Sequence, residues 1–345
     1  MSNPFSRLFQ RFRPAAAPTE AVPAPAPPAP EPDPFDPVWD WLTGPTPAQP
    51  APLAPEHAEL VESLVPKVVE HFSSHKPDLI AFPAIAFQVI DLMHDPDLEM
   101  NRLLRVITPD PAIVSRILNV ANSVLYSRGA EVQDLRAAAQ RIGMRGVTEI
   151  AVGVAGRSLF DASVRAEYLM FGDRLRSLFL DAMAIAFGSS QFAFEQHVGR
   201  ADRAFQAGMF HDIGKTLALQ SLATLDSSGA TPGLLPAPVV DAVLERVHVE
   251  AGCALIRAWH LPAHLAEHCQ HHHDKEVPDT LEHTDLHTLR LASGLYRLVL
   301  DPASADRLDE TRQSLRALGL SRRATQRFHA DLLEQAQRVA VMFPA

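Results

Sequence analysis

From residue 56 onward the apolar positions recur with a helical period. Leu60, Val61, Leu64, Val65, Val68, Val69 and Phe72 fall three and four apart and mark one stripe. Asp110 suits an N-cap, Pro111 suits the first helical position, and Ile113, Val114, Ile117 and Leu118 continue an inward face. Asp134 opens another helix, which Gly143 ends. No run alternates apolar and polar residues as a half-buried strand does, and no hairpin dipeptide joins two apolar runs. No unit repeats at a fixed period. The pattern predicts an all-α protein, a compact bundle of many short, capped helices.

Before residue 56 the pattern changes. Between Pro14 and Pro55 stand 15 of the 29 prolines, interleaved with alanine, so residues 14–55 are expected to form a disordered Pro/Ala-rich linker. Two islands interrupt the tail. In residues 1–13, Phe5, Leu8, Phe9 and Phe12 share one helical face among Arg7, Arg11 and Arg13. Such a basic amphipathic segment fits membrane contact by residues 5–13, a partner groove, or a solubilising terminus. The second island, residues 35–42, sets Phe35, Val38, Trp39, Trp41 and Leu42 among acids, and fits either a partner-docking motif or packing onto the folded domain.

Composition narrows the function classes. The chain has 345 residues, 47% of them hydrophobic, enough to bury a substantial core. A net charge of −10 speaks against a protein whose main task is gripping phosphate backbones, so nucleic acid is not an expected partner. Arg141, Arg145, Arg322, Arg323 and Arg327 would be the phosphate contacts if it were, against the simpler reading of solvated helix faces. Cys253 and Cys269 make no disulfide framework and read as small buried residues. No apolar run reaches the roughly 20 residues of a membrane helix, and the start lacks a secretory core, so a cytoplasmic protein is expected.

The sharpest chemistry lies in Ala207-Gly-Met-Phe-His211-Asp212-Ile-Gly-Lys215, set in a helical pattern. An adjacent imidazole and carboxylate are good ligands for first-row metals, and Gly214 permits close helix approach. Nine of the 16 histidines then crowd between His248 and His287. Pro262 is placed to open a helix that carries His264, His268 and His271 or His272 roughly on one face. Taken singly, His260, His264, His268, His283 and His287 fit solvated or hydrogen-bonded roles better than metal ligation.

The HDIGK segment, Gly252 after His248, Trp259-His-Leu-Pro262 and the closing His272-His273 resemble the second half of HDOD domains. These are helical relatives of the HD phosphohydrolases. Phe82-Pro83, Asp95-Pro96-Asp97, Asp110-Pro111, the segment Ile117 to Tyr126 with Asn122-Ser123, and Ala137 to Gly143 resemble the first half. The resemblance covers roughly 56–300, with 56–165 as an N-terminal helical part, 166–300 as an HD-like part, and 301–345 as C-terminal helices completing the module.

In catalytic HD enzymes an early His, the His-Asp pair and a late Asp hold a metal. The resemblance places the pair at His211 and Asp212. The early His should fall within Arg174 to Ala186, which contains none, and Ser293 stands where the late Asp should be. His248, His272 and His273 match histidines that related enzymes use for an additional metal. A bacterial regulatory module working through contacts with other signalling proteins is therefore implied, without catalytic residues and with no cofactor expected. Phe35, Trp39, Trp41 and Asn122 are its candidate partner contacts. The alternative is a metal-dependent phosphohydrolase acting on a nucleotide or cyclic dinucleotide. It would use Lys215 beside iron, manganese or zinc held by His211, Asp212, His248, His272 and His273. A histidine-rich pH sensor is a further expectation.

Overall fold

A computed structural model describes residues 33, 35–45, 52–74, 81–124, 126, 129–300 and 307–343. The amphipathic segment 5–13 lies outside them. The chain divides into Met1–Asp36 and Pro37–Ala345, and the architecture below is that of the second unit. In chain order the helices are α1 (Asp36–Thr43), α2 (Pro55–Ser74), α3 (Ala84–Met93), α4 (Met100–Ile107), α5 (Pro111–Asn122), α6 (Leu135–Ile142) and α7 (Met144–Gly156). After three short 3₁₀ turns come α8 (Gly172–Gln196), α9 (Ala201–Phe210), α10 (Ile213–Ser227), α11 (Ala237–Ala258) and α12 (Ala263–His271). The series ends with α13 (Thr284–Leu300), α14 (Leu308–Ala317) and α15 (Arg322–Met342). No strand occurs among the described residues, and the all-α expectation holds.

Local chemistry sets the helix ends. The Asp110 carboxylate accepts from the amides of Ala112 and Ile113 at 2.9 and 3.1 Å, satisfying donors that a helix start leaves orphaned. Asp134 does the same for Ala137 at 2.8 Å, and Gly143 ends α6 at φ 87°, where a side chain would be strained. In α2 the predicted stripe faces inward through Val61, Leu64, Val68 and Phe72.

Helices α3, α5 and α6 pack on α7, while α9, α13 and α15 line the long α8 and α10 pairs with α11. Helix α2 falls in the part read as N-terminal, yet it packs against α11 and α10. His71 meets the Ser221 hydroxyl at 3.1 Å, and Lys67 donates to the Ala230 carbonyl at 2.9 Å. An apolar stripe says how much surface must be buried, not against which neighbour.

A large core joins α2–α12, and a second apolar cluster gathers Phe192 of α8, Leu289, Leu291 and Leu295 of α13, Leu315 of α14 and Phe328 and Leu332 of α15. Helix α1 lies within the stretch expected to be a disordered linker. Leu42 is buried in the second cluster, with Val38, Trp39 and Trp41 packed against it. The aromatic surface in this short segment gains more from burial than its ordering costs. Among the described residues, one helical stretch is long and apolar enough to cross a bilayer, Ala166–Gln196, and 61% of its apolar window is buried inside the fold.

Candidate metal centre

The His-Asp pair was expected within a helix. Instead α9 stops at Phe210 and α10 begins at Ile213, so His211 and Asp212 form the turn between them. The break turns both side chains toward α11 and the end of α12. Close packing makes this possible. A Cβ on Gly214 would stand 1.9 Å from the His248 carbonyl oxygen and 2.4 Å from the Gly252 nitrogen, so only glycine lets α10 approach α11 this closely. Gly208 does the equivalent between α9 and α8, where an added Cβ would meet the Ala186 backbone at 2.5 Å.

Asp212, His248, His272 and His273 converge, each offering a ligand atom, all within 4.8 Å of one another. His211 joins from the side, its ring 5.4 Å from that of His272 and edge-on to it. The hydrogen bonds assign the tautomers. His211 Nδ1 meets the Gly208 carbonyl at 2.9 Å, His248 Nδ1 the Leu244 carbonyl at 3.0 Å, and His272 Nδ1 the Cys269 carbonyl at 2.8 Å. A carbonyl only accepts, so each Nδ1 carries the proton and each Nε2 presents a lone pair. Those three Nε2 atoms and Asp212 Oδ1 are buried without a hydrogen-bond partner. The Nε2 atoms of His248 and His272 each stand 3.5 Å from Asp212 Oδ1.

Buried acceptors facing one another without a donor are costly, and a cation between them removes the cost. Backbone carbonyls fixing the outer ring nitrogen are also the usual support behind metal-binding histidines. The donor set, imidazole nitrogens with a carboxylate, suits zinc, iron or manganese.

Burial pushes His211 and His248 down to about 3, which keeps both rings neutral and ligating at physiological pH. Burial alone would raise the Asp212 carboxyl, but Lys215 and the surrounding imidazoles hold it well below the usual carboxylate range. Lys215 donates to Asp212 Oδ2 at 2.7 Å and pairs with Glu245 at 3.1 Å. Burial lowers its ammonium to about 8. The other carboxylate oxygen of Asp212 thus points at the histidines while the first is anchored. His273 Nδ1 lies 3.1 Å from Glu310 Oε2, and Arg307 contacts both this ring and Glu245.

Beside the centre is a cavity of about 310 Å³ lined by Asp181, His211, Asp212, Lys215, Ser293 and Tyr296, with Arg297 at its edge. Ser293 does face the site from α13. Asp181 comes from the α8 stretch where an early His was sought, and its Oδ1 accepts from the Tyr296 hydroxyl at 2.9 Å. Asp181, Tyr296, Glu245, Arg297 and Glu310 were not singled out from the sequence. For Asp181 the signal was present, a single acid inside the apolar run SLFLDAMAIA.

The other candidates lie elsewhere. Asn122 closes the segment between α5 and α6, its amide donating to the Val132 carbonyl at 2.8 Å and accepting from the Val132 amide at 2.9 Å. Both amide atoms are therefore used inside the fold. Arg141 donates to the Ala121 and Ala130 carbonyls, and Arg145 to Ser190 and Gln191. His264 and His268 turn inward together on α12, whereas His271 is half-buried beside Asp274. His287 is buried against Ser314 and the Pro278 carbonyl, and Cys253 and Cys269 are buried free thiols.

Comparison with known proteins agrees with this architecture. A Geobacter sulfurreducens HDOD domain protein of unknown function superposes with a TM-score of 0.60 at 19% identity, over 83% of this chain and 100% of that one. A candidate metal-dependent phosphohydrolase from Shewanella amazonensis gives 0.56 at 22% identity, over 82% and 100%. A candidate signal transduction protein from Marinobacter aquaeolei gives 0.54 at 17%, over 83% and 65%. At these identities the likeness establishes the fold. An uncharacterized protein of Treponema pallidum is 22% identical over 227 residues, so that 64% of this chain matches only 42% of that one. The HDOD domain family profile matches residues 79–275, which take in the His-Asp turn, His248 and the His272-His273 pair. That match spans more than half of the 345 residues, and the chain belongs to the HDOD domain family.

Proposed function

We propose that this chain is a bacterial, cytoplasmic regulatory protein whose HDOD domain works through contacts with other signalling proteins, and that its histidine centre holds one divalent cation without hydrolysing a substrate. One observation carries this. Four ligand groups converge on a single point, whereas the flanking positions beside His211 are filled by Asp181, tied to Tyr296, and by Ser293. Asp212, His248, His272 and His273 would hold the ion, with His211 at its side. When bound, it would supply the positive charge that the facing lone pairs lack.

Lys215 anchors Asp212 and is not positioned as a free acid or base, since Asp212 and Glu245 both engage it. The centre would then act as a rigid core that fixes α10, α11 and the end of α12 relative to one another, presenting a constant outer surface to partners.

A phosphohydrolase acting on a nucleotide or cyclic dinucleotide is the second candidate, favoured by the cavity that brings Lys215 and Arg297 up to Asp212. The kinship in fold with a candidate metal-dependent phosphohydrolase supports the same alternative. Metal analysis of the purified full chain, paired with hydrolysis assays on cyclic dinucleotides, separates the two. About one tightly held equivalent of zinc, iron or manganese and no turnover is the expected result. Two equivalents with turnover would establish the hydrolase, and a metal-free chain indifferent to chelator would remove the cation from the proposal.

A further inference from the structure

Helix α1 has only eight residues, fewer than an isolated helix needs to persist in water. Pro34 precedes it, Pro37 sits in its first turn, and Pro45 and Pro47 follow it, so it cannot gain stability by extension. Its order comes from what it docks against. Leu42 is 4% exposed, and Trp39 and Trp41 pack beside it on the second cluster.

Arg312 of α14 donates through Nε and Nη2 to the Trp41 carbonyl, at 3.2 and 2.5 Å, and through Nη2 to the Gly44 carbonyl at 2.6 Å. These are carbonyls that the end of α1 leaves without helical partners, and a cation there also complements the helix dipole. The Arg322 guanidinium of α15 lies 5.9 Å from the centre of the Trp39 ring. The receptor is thus an apolar surface flanked by two arginines, and α1 brings Asp36 and Asp40 along with its aromatic face.

We propose that this face of α13–α15 is a docking site for a short, acidic amphipathic helix of a partner protein, and that α1 occupies it in cis as a displaceable plug. The proposal rests on the regulatory role given above and is independent of the metal. The chemistry of the resident segment specifies the partner. It must carry a tryptophan- and leucine-bearing face, acids on the outer face, and a free C-terminal turn for Arg312. A plug joined through a proline-rich tail is present at high local concentration, so a partner helix must outbind it or act when α1 is released.

The test uses the full chain with Trp39→Ala and Leu42→Ala, which weaken the resident helix, and a fluorescein-labelled peptide of residues 33–45 as probe. Anisotropy should show saturable binding about tenfold tighter than to the unaltered chain, whose own α1 competes. Adding Arg312→Ala should weaken binding about tenfold. A retained single cooperative thermal transition, at a somewhat lower temperature, shows that the receptor is folded in the variants. No binding to the weakened, folded chain would overturn the proposal, as would equal binding to the unaltered chain. Concentration-dependent dimers that vanish with Arg312→Ala would assign the surface to a second copy and overturn the hetero-partner. Because the readout needs no metal, its failure would leave the histidine centre untouched.

Discussion

Helices α3–α7 and helices α9–α13 are built on different terms. Among the described residues the first group buries two polar side chains, Thr148 and Glu149, and leaves its other charges less than fully buried. The second buries fourteen, from Gln206 through His211, Lys215, His248 and His272 to Arg290 and Ser293. Burying polar groups costs free energy unless each is paired, and the candidate metal centre leaves several facing one another. The contrast separates scaffold from site. One half is packed for stability, and the other gives up stability to hold a particular constellation.

The largest expected effect comes from Asp212→Ala. It leaves Lys215 buried with Glu245 as its remaining acidic partner and should cost about 3–5 kcal/mol in denaturant unfolding, with metal affinity falling at least about 100-fold. Unchanged stability and metal content would erase the contrast. Ile117→Ala in the scaffold half should cost about 3 kcal/mol, since its side chain is fully buried, while metal content stays as in the unaltered chain. A coupled loss of metal would show that the two halves are not separable.

The next effect is a difference of sign with pH. Burial pushes Glu149, in the scaffold half, up to about 7, against an ordinary 4.5. Its folded form holds a proton that the unfolded form has released, so stability falls as pH rises from about 4.5 through 7. Glu149→Gln should remove this loss, gaining up to about 3 kcal/mol at pH 8 and almost nothing at pH 4.5. Burial pushes His264, in the site half, down to about 3 from 6.5. The unfolded form takes up protons first, so its contribution is full above about 6.5 and is lost as pH falls toward 3. Melting curves of Glu149→Gln and His264→Phe across pH 4–8 would show the opposite trends, and parallel profiles would contradict them. The smallest effect is Arg312→Ala, expected to cost about 1 kcal/mol and to expose Trp39 and Trp41 to acrylamide quenching.

Much of the architecture was legible because it is local. The caps at Asp110 and Asp134, the stop at Gly143 and the inward stripe of α2 depend on neighbours a few residues away. The ligand types were legible too, since His211-Asp212 and His272-His273 are contiguous. What escaped was non-local. Asp181 reaches the cavity because α13 brings Tyr296 beside it, and Asn122 is spent on Val132 because the chain folds back between α5 and α6.

The sequence by itself determined an all-helical chain, its capped segments, its family and the residue types available for a metal. Only the tertiary structure decided that α9 breaks at His211, that α2 joins α10 and α11, and that α1 packs Leu42 into the second apolar cluster. It also decided that four candidate ligand groups spread over 62 positions, from 212 to 273, meet in one place with His211 beside them. The physical reason is that helix formation is governed by hydrogen bonds and side-chain periods within a turn or two. The meeting of distant ligands depends on how closely helices can approach, and here Gly214 lying against the His248 carbonyl sets that distance.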